Sequence, residues 1–318
     1  MTNKELIDVS VVVPCYKSED FLKEVVESVY QELKMLQGQT INKFEINLVV
    51  DGSPDETYKI AFELAETYEE IRSFELTRNF GQHSAIFAGV ENSRMSWILT
   101  MDDDGQHPPA QISKLIDLVG DDVDVIYGKS SVEEHNFIRN LFSQSSKYLI
   151  YKILDVKYAK NVSAFRLFRR SLLENINLSS LNNGVVDVAI NWHTDRIQSV
   201  EVKMLKRAQG DSNYNYQGLT KFALQMITGY SVKPLRMVTA LGFVAFVLSM
   251  FTALLVLVQS IMDVIEVPGY ASIVFITLIL GSFQIFALGI IGEYIGRIHE
   301  KTLGKPLFKV RKADENQN

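Results

Sequence analysis

Three consecutive carboxylates, Asp102, Asp103 and Asp104, follow the apolar run Trp97–Met101, and Gln106 stands just beyond them. Carboxylates at alternate positions leaving a strand can turn toward one point. Asp102 and Asp104 therefore suit a hard divalent cation, Mg2+ or Mn2+, with Gln106 adding a neutral oxygen. The competing interpretation is an acidic turn capping a helix at Pro109, which Asp104 or Gln106 could do alone. Three adjacent carboxylates repel one another unless a cation is present, and this favours the metal.

Other apolar runs end in polar groups as well. Pro14, Tyr16 and Glu19 follow Val9–Val13, Asp51 follows Val49-Val50, and Arg78-Asn79-Phe80-Gly81 follow Ile71–Leu76. Asp51 can accept hydrogen bonds from a base or ribose. Its alternative role at a helix start is already filled by Ser53, which has capping-box spacing to Glu56, with Pro54 at the first helical position. Arg207 lies in Lys206-Arg207-Ala208-Gln209-Gly210, where a guanidinium can hold a diphosphate; alone it is equally a surface arginine. His83 and His107 fit neither metal-ligand spacing nor a Ser/His/Asp order and are expected to be structural or to support the residues that touch the ligand. Cys15 is expected to be a small packed side chain. Neither G-x-G-x-x-G nor G-x-x-x-x-G-K-[ST] occurs, so neither a dinucleotide fingerprint nor a P-loop is expected.

The elements that must position these groups alternate. Strands are expected at Val9–Val13, Phe44–Val50, Ile71–Leu76, Trp97–Met101 and Val123–Tyr127. Helices are expected at Ser18–Leu36, up to Tyr68, at Ser84–Asn92 and at Pro109–Val119. That order predicts an α/β fold with an open, mostly parallel sheet and helices on both faces. Ligands on such sheets bind beyond the carboxyl ends of the strands, where the polar groups cluster.

The chain has 318 residues, with 32 Lys+Arg against 38 Asp+Glu, a net charge of −6. That balance argues against a nucleic-acid binder. One Cys excludes a disulfide scaffold. The 47% hydrophobic content is unevenly spread, because 237–262 and 267–292 are each 26 residues without a charge. At about 1.5 Å rise per residue, either run can cross a hydrocarbon core of roughly 30 Å. Only Asp263–Glu266 separate them, predicting a tight transmembrane hairpin. Lys233 and Arg236 precede it, and Arg297, Lys301, Lys305, Lys309, Arg311 and Lys312 follow, which places both termini on the cytoplasmic side of the inner or plasma membrane. No signal peptide is expected in Met1–Ser10. Leu219, Phe222, Ala223, Met226, Ile227 and Tyr230 form one apolar helical face, expected to lie in the membrane interface, with packing on the cytosolic domain as the alternative. The expected organisation is a cytosolic domain at 1–213, an interfacial region at 214–236, the hairpin at 237–292 and a basic cytosolic tail at 293–318.

Together these residues resemble a known family. Val11-Val12-Val13-Pro14-Cys15-Tyr16, Val50-Asp51-Gly52-Ser53, Arg78-Asn79-Phe80-Gly81, Asp102-Asp103-Asp104-Gly105-Gln106-His107-Pro108-Pro109, Arg207-x-x-Gly210-x-Ser212 and Gly292-Glu293-Tyr294-Ile295-Gly296-Arg297 are similar to the glycosyltransferase family 2 enzymes that load sugars onto polyprenyl phosphate. That group includes dolichol-phosphate mannose synthase, bactoprenol glucosyltransferase and undecaprenyl-phosphate formamido-arabinose transferase. The resemblance implies a GT-A domain, a nucleotide-sugar donor (a UDP-sugar), a polyprenyl phosphate acceptor, a divalent cation and inversion at the anomeric carbon. It gives Asp102, Asp104 and Gln106 the metal-site role, with Asp102 and Asp104 catalytic. Pro14, Tyr16, Glu19, Asp51, Arg78 and Asp103 take the nucleotide, and Arg207 the diphosphate. Arg139, Ser163 and Arg166 take the acceptor phosphate.

Val50, Lys160-Asn161 and Asn213 depart from the family pattern. They keep open a catalytically silent nucleotide-sugar-binding scaffold as an alternative. A polysaccharide synthase is a further alternative, although neither Trp97 nor Trp192 follows an Arg, as the synthase motif requires. A homo-oligomer stays open, and the sugar's identity is not encoded in these motifs.

Overall fold

The computed structural model describes residues 5–130, 162–174, 185–203, 205, positions 238, 240–242, 244, 247, 248 and 251, and residues 269–304 and 306–313. The chain divides into two compact units, 1–213 with 304–318, and 214–303.

The run around Val9–Val13 forms β1, Ile7–Cys15. Val9, Val11 and Val13 enter one core layer and Val12 the opposite one, so both faces of the strand are buried. A strand covered on both sides needs a continuous apolar run rather than alternation. On one side of β1 lies β2 (Ile41–Val50), followed by β3 (Ile71–Leu76); on the other lies β4 (Trp97–Thr100). All four strands are parallel. One face is covered by α1 (Leu22–Leu36), α2 (Thr57–Thr67) and α4 (Ile112–Ile116), which a 3-10 turn at Pro109–Gln111 introduces. The other face is covered by α3 (Gln82–Glu91) and α5 (Val186–Asn191).

The sheet has eight strands in the order β7-β5-β6-β4-β1-β2-β3-β8, with β5 at Val125–Ser130, β6 at Arg166–Arg169, β7 at Ile197–Val202 and β8 at Val310–Ala313. β6 runs antiparallel to β4 and β5, and β8 antiparallel to β3. The alternation predicted the parallel centre and not these two strands.

Two local expectations change. Ser53 and Glu56 form no capping box. The Ser53 hydroxyl donates to Asp55 and accepts the Lys17 N–H at 2.8 Å, while Asp55 accepts the Thr57 N–H at 3.3 Å and so serves the start of α2. The C-terminal segment, expected as a tail, contributes β8 to the sheet edge. Arg311 donates to Glu75 at 3.3 Å and to the Thr77 carbonyl at 2.9 Å, and Leu307, Phe308 and Val310 pack on the α3/α5 layer. Pairing and basic side chains on this strand blunt an otherwise open edge.

In the second unit, α6 spans Tyr270–Thr302, 33 residues, and continues past the expected arm at 267–292. Ile273, Ile276, Leu288, Ile291, Ile295 and Ile298 are exposed along it. Taken over the described residues alone, no helix is long and apolar enough to cross a membrane. Most of 237–262 and all of the expected interfacial segment 214–236 lie outside the described residues.

Candidate active site

Past the end of β4 the Met101 N–H still pairs with the Val12 carbonyl (3.3 Å), and the chain then turns away from the sheet. The three aspartates part there. Asp103 folds back, its Oδ2 accepting the Tyr16 N–H at 3.2 Å and the Ser18 hydroxyl. Asp102 accepts the Gln82 side-chain amide at 2.6 Å, and Asp104 accepts the Gln106 N–H at 3.0 Å. Burial pushes the Asp103 carboxyl up to about 6; Ser18 and Tyr16 oppose the rise, and the flanking Asp102 and Asp104 add to it.

Asp102, Asp104 and His107 bring ligand atoms within 4.8 Å of one another. His107 is buried and stacks on Phe165 with ring centroids 5.1 Å apart and planes 17° apart. Its Nδ1 is buried without a hydrogen-bond partner. Burial lowers its proton affinity, with Asp104 acting the other way, so the ring stays neutral and keeps a lone pair. Two carboxylates and a neutral imidazole fit a divalent cation, and the nitrogen favours Mn2+ over Mg2+. Gln106, the expected third ligand, spends its backbone on the turn: its N–H goes to Asp104, and its carbonyl accepts the Leu205 N–H at 2.9 Å. Its side chain makes no hydrogen bond among the described residues. His107 was therefore missed, although its place in the same turn as Asp104 was a usable signal.

These carboxylates floor a cleft of about 350 Å3 lined by Pro14, Cys15, Tyr16, Phe21, Asp51, Asn79, Gly81, Gln82 and Asp102, Asp103 and Asp104. Asp51 is 3% exposed, its two oxygens accepting the Phe80 and Gly81 N–H groups at 2.7 Å each. Burial raises its carboxyl pKa, against those two bonds and the Arg78 charge. Gly52 makes the arrangement possible. Its φ is +56°, and a Cβ there would sit 2.3 Å from the Arg78 carbonyl carbon.

The remaining expected residues are placed as follows. Pro14 and Tyr16 line the cleft, and Tyr16 is 43% exposed. Arg78 is exposed, its guanidinium 4.3 Å from the Phe80 ring centroid. Glu19 accepts the Glu56 N–H at 2.9 Å at the start of α2, so this bond engages its carboxylate in the structure. Cys15 is buried, and burial raises its thiol pKa well above the usual value, in keeping with a packed side chain. Ser163 accepts the Phe165 N–H at 3.2 Å. Arg139 and Arg207 lie outside the described residues. Arg166 departs from expectation: it is 1% exposed and ion-paired with Asp187, which also accepts the Tyr127 hydroxyl at 3.0 Å. Its charge is answered inside the fold instead of being displayed for a phosphate.

Residues 10–176 match the profile of glycosyl transferase family 2. The chain belongs to that family. In this glycosyltransferase, residues 233–298 also match the GtrB C-terminal hairpin. It is 30% identical over 310 residues to the prophage bactoprenol glucosyl transferase homolog of Escherichia coli K12, covering 96% of this chain and 99% of that one. It is 27% identical over 315 residues to the undecaprenyl-phosphate 4-deoxy-4-formamido-L-arabinose transferase of Proteus mirabilis, covering 98% and 95%. Among solved structures it is similar to glucosyl-3-phosphoglycerate synthase from Mycobacterium tuberculosis in complex with Mn2+ and UDP, with a TM-score of 0.50, 16% identity, and 70% and 78% of the two chains covered. At that identity the likeness is one of fold. The glycosyltransferase has the α/β, GT-A-like architecture that the motifs implied, and its acidic cleft lies at the carboxyl ends of β1, β2 and β4.

Proposed function

We propose that this chain is a membrane-bound, inverting glycosyltransferase that moves a sugar from a UDP-sugar to polyprenyl phosphate. The observation that carries this reading is the convergence of Asp102, Asp104 and His107 in the acidic cleft beyond β4. The two relatives supply the acceptor class by name, bactoprenol and undecaprenyl phosphate. The fold neighbour, in complex with Mn2+ and UDP, supports the donor class.

The second pKa of a phosphate monoester lies near about 6, so the acceptor is largely dianionic at neutral pH. It is already a nucleophile and needs little help from a general base. The protein's work is to bring two anions together and to stabilise the leaving diphosphate. Asp102, Asp104 and His107 would hold Mg2+ or Mn2+, with the Gln106 side chain beside them; when bound, the cation neutralises developing charge on the diphosphate. Asp103 ties the metal-binding turn to Tyr16, and Asp51 keeps the 78–81 loop against the cleft. Arg207 is assigned to the diphosphate, and Arg139 with Ser163 to the acceptor phosphate. Attack from the face opposite the diphosphate inverts the anomeric centre.

The membrane part rests on three supports. The hairpin profile covers 233–298, and α6 exposes a row of large apolar side chains, which water does not favour. A Cβ at Gly242 would also come 3.7 Å from the Phe283 ring, as expected where two arms pack closely. Basic flanks on both sides support a cytoplasmic position for the catalytic unit and both termini.

The test is transfer of labelled sugar from UDP-sugars into an organic-extractable lipid, using the full-length protein with undecaprenyl phosphate, with and without chelator. Chelator and Asp104→Ala should each abolish transfer. Turnover of the wild-type order in Asp104→Ala sinks the proposal.

A further inference from the structure

Asp51, Asp102, Asp103 and Asp104 all line the cleft, and among the described residues that line it none is a lysine or an arginine. Each carboxylate is held by neutral donors. Asp51 takes two backbone N–H groups, Asp103 a backbone N–H and the Ser18 hydroxyl, and Asp104 the Gln106 N–H. Asp102 takes a side chain: the Gln82 carboxamide donates to its Oδ1 at 2.6 Å.

The backbone before Gln82 puts it there. Gln82 is the first residue of α3, and Gly81 ahead of it has φ +96° and ψ 153°, a conformation that is essentially glycine's alone. The N–H groups of Phe80 and Gly81 are fixed on Asp51 at 2.7 Å each. Behind Gln82, the residues Ser84 to Val90 of α3 are buried. Gln82 itself is exposed and lines the cleft, so the helix is anchored by its body and a substitution at Gln82 removes no core side chain.

The type of donor matters. A carboxylate that is to meet a divalent cation needs a fixed orientation and must keep its charge. A lysine or arginine in this place would cancel that charge, whereas a carboxamide N–H orients the group and leaves the charge whole. Groups that hold a metal ligand in this way change metal affinity by roughly 10–100-fold when they are removed.

We propose that Gln82 is a positioning residue for the metal site: its carboxamide sets the Asp102 carboxylate, and the Asp51-held turn at Phe80-Gly81 ties that carboxylate to the opposite end of the cleft lining. This rests on the metal-dependent glycosyltransferase reading above and deepens it.

The experiment is titration of the full-length protein in detergent with Mn2+ alone, followed by electron paramagnetic resonance, for the wild type, Gln82→Met and Gln82→Asn. Methionine matches glutamine in length and lacks the donor; asparagine keeps the carboxamide and is one methylene shorter. Both variants should bind Mn2+ about tenfold more weakly than the wild type. Their bound Mn2+ should give broader resonance lines, because a carboxylate without its donor adopts more than one orientation. The melting temperature of the metal-free protein should be unchanged, as expected for an exposed position. Wild-type affinity and line shape in Gln82→Met overturn the proposal, and so does Gln82→Asn binding as the wild type does. A weaker affinity that comes with a lower melting temperature also overturns it, since Gln82 would then serve only the fold. A wild type that binds no Mn2+ removes the metal site of the glycosyltransferase reading and the role of Gln82 together, an outcome distinct from the other three.

Discussion

The Asp103 carboxylate accepts the backbone N–H of Tyr16 at 3.2 Å, joining the exit of β4 to the exit of β1. The central member of the acidic run is therefore a tie between two loops, while its neighbours face the cleft. Asp103→Ala should weaken UDP binding about tenfold, the order of one hydrogen bond to a charged group, while Mn2+ binding is retained. Asp103→Asn, which can still accept from Tyr16, should lose less. Calorimetry with UDP and with Mn2+ alone separates the two effects; equal loss of both ligands in Asp103→Ala contradicts the assignment.

His107 adds a nitrogen donor to a pair of carboxylates, and imidazole suits Mn2+ better than Mg2+. His107→Ala should shift the balance toward Mg2+, measured as the ratio of the two metals' dissociation constants. Wild-type Mn2+ should show nitrogen coupling in pulsed electron paramagnetic resonance, and the variant should not. An unchanged ratio and spectrum rule His107 out as a ligand.

Arg166 and Asp187 form a buried pair, and removing one partner strands the other's charge. Arg166→Met should cost about 3–5 kcal/mol of stability. An exposed arginine waiting for a phosphate would cost less than about 0.5 kcal/mol on the same substitution. Denaturant unfolding of the purified protein decides between them.

Gly52 combines φ +56° with contact against the Arg78 backbone, where no flexible side chain can yield. Gly52→Ala should destabilise the protein by about 2 kcal/mol or more and should weaken UDP binding through the displaced 78–81 loop. Normal stability together with normal UDP affinity would contradict this.

His83 gives a pH signature. Burial holds its pKa in the folded protein at about 4, below the ordinary value of 6.5, so the native state prefers the neutral ring. The stability it contributes is fully present above pH 6.5 and is lost as pH falls toward 4, by up to about 3 kcal/mol. His83→Gln should show a smaller fall in melting temperature than the wild type between pH 7 and pH 4.5. Parallel pH profiles for the two proteins would show that the ring is not buried in its neutral form.

Runs of apolar residues could be recognised as elements because burial on both faces leaves a local signature: β1, β2 and β4 carry the apolar runs Val11-Val12-Val13, Leu48-Val49-Val50 and Trp97-Ile98-Leu99. The polar groups at the strand ends marked the acidic cleft for the same reason, since the end of a buried strand is where a chain can first expose a charge. The partition between the α/β unit and the two charge-free runs was equally visible in composition.

The fate of single polar side chains was not visible, because it depends on partners far away in sequence. His107 reads as a structural histidine until β6 brings Phe165 against it. Arg166 reads as a phosphate ligand until Asp187 arrives from α5. β8 looks like a basic tail until Arg311 meets Glu75, 236 residues earlier.

Local pattern decides which segments form strands and helices, because burying an apolar face depends on the spacing within that segment. A carboxylate or guanidinium has no such preference. It pairs with whatever the folded chain places beside it, so tertiary structure alone decided that Asp102, Asp104 and His107 converge on one point while Asp103 ties two loops at the cleft and Arg166 is paired inside the fold.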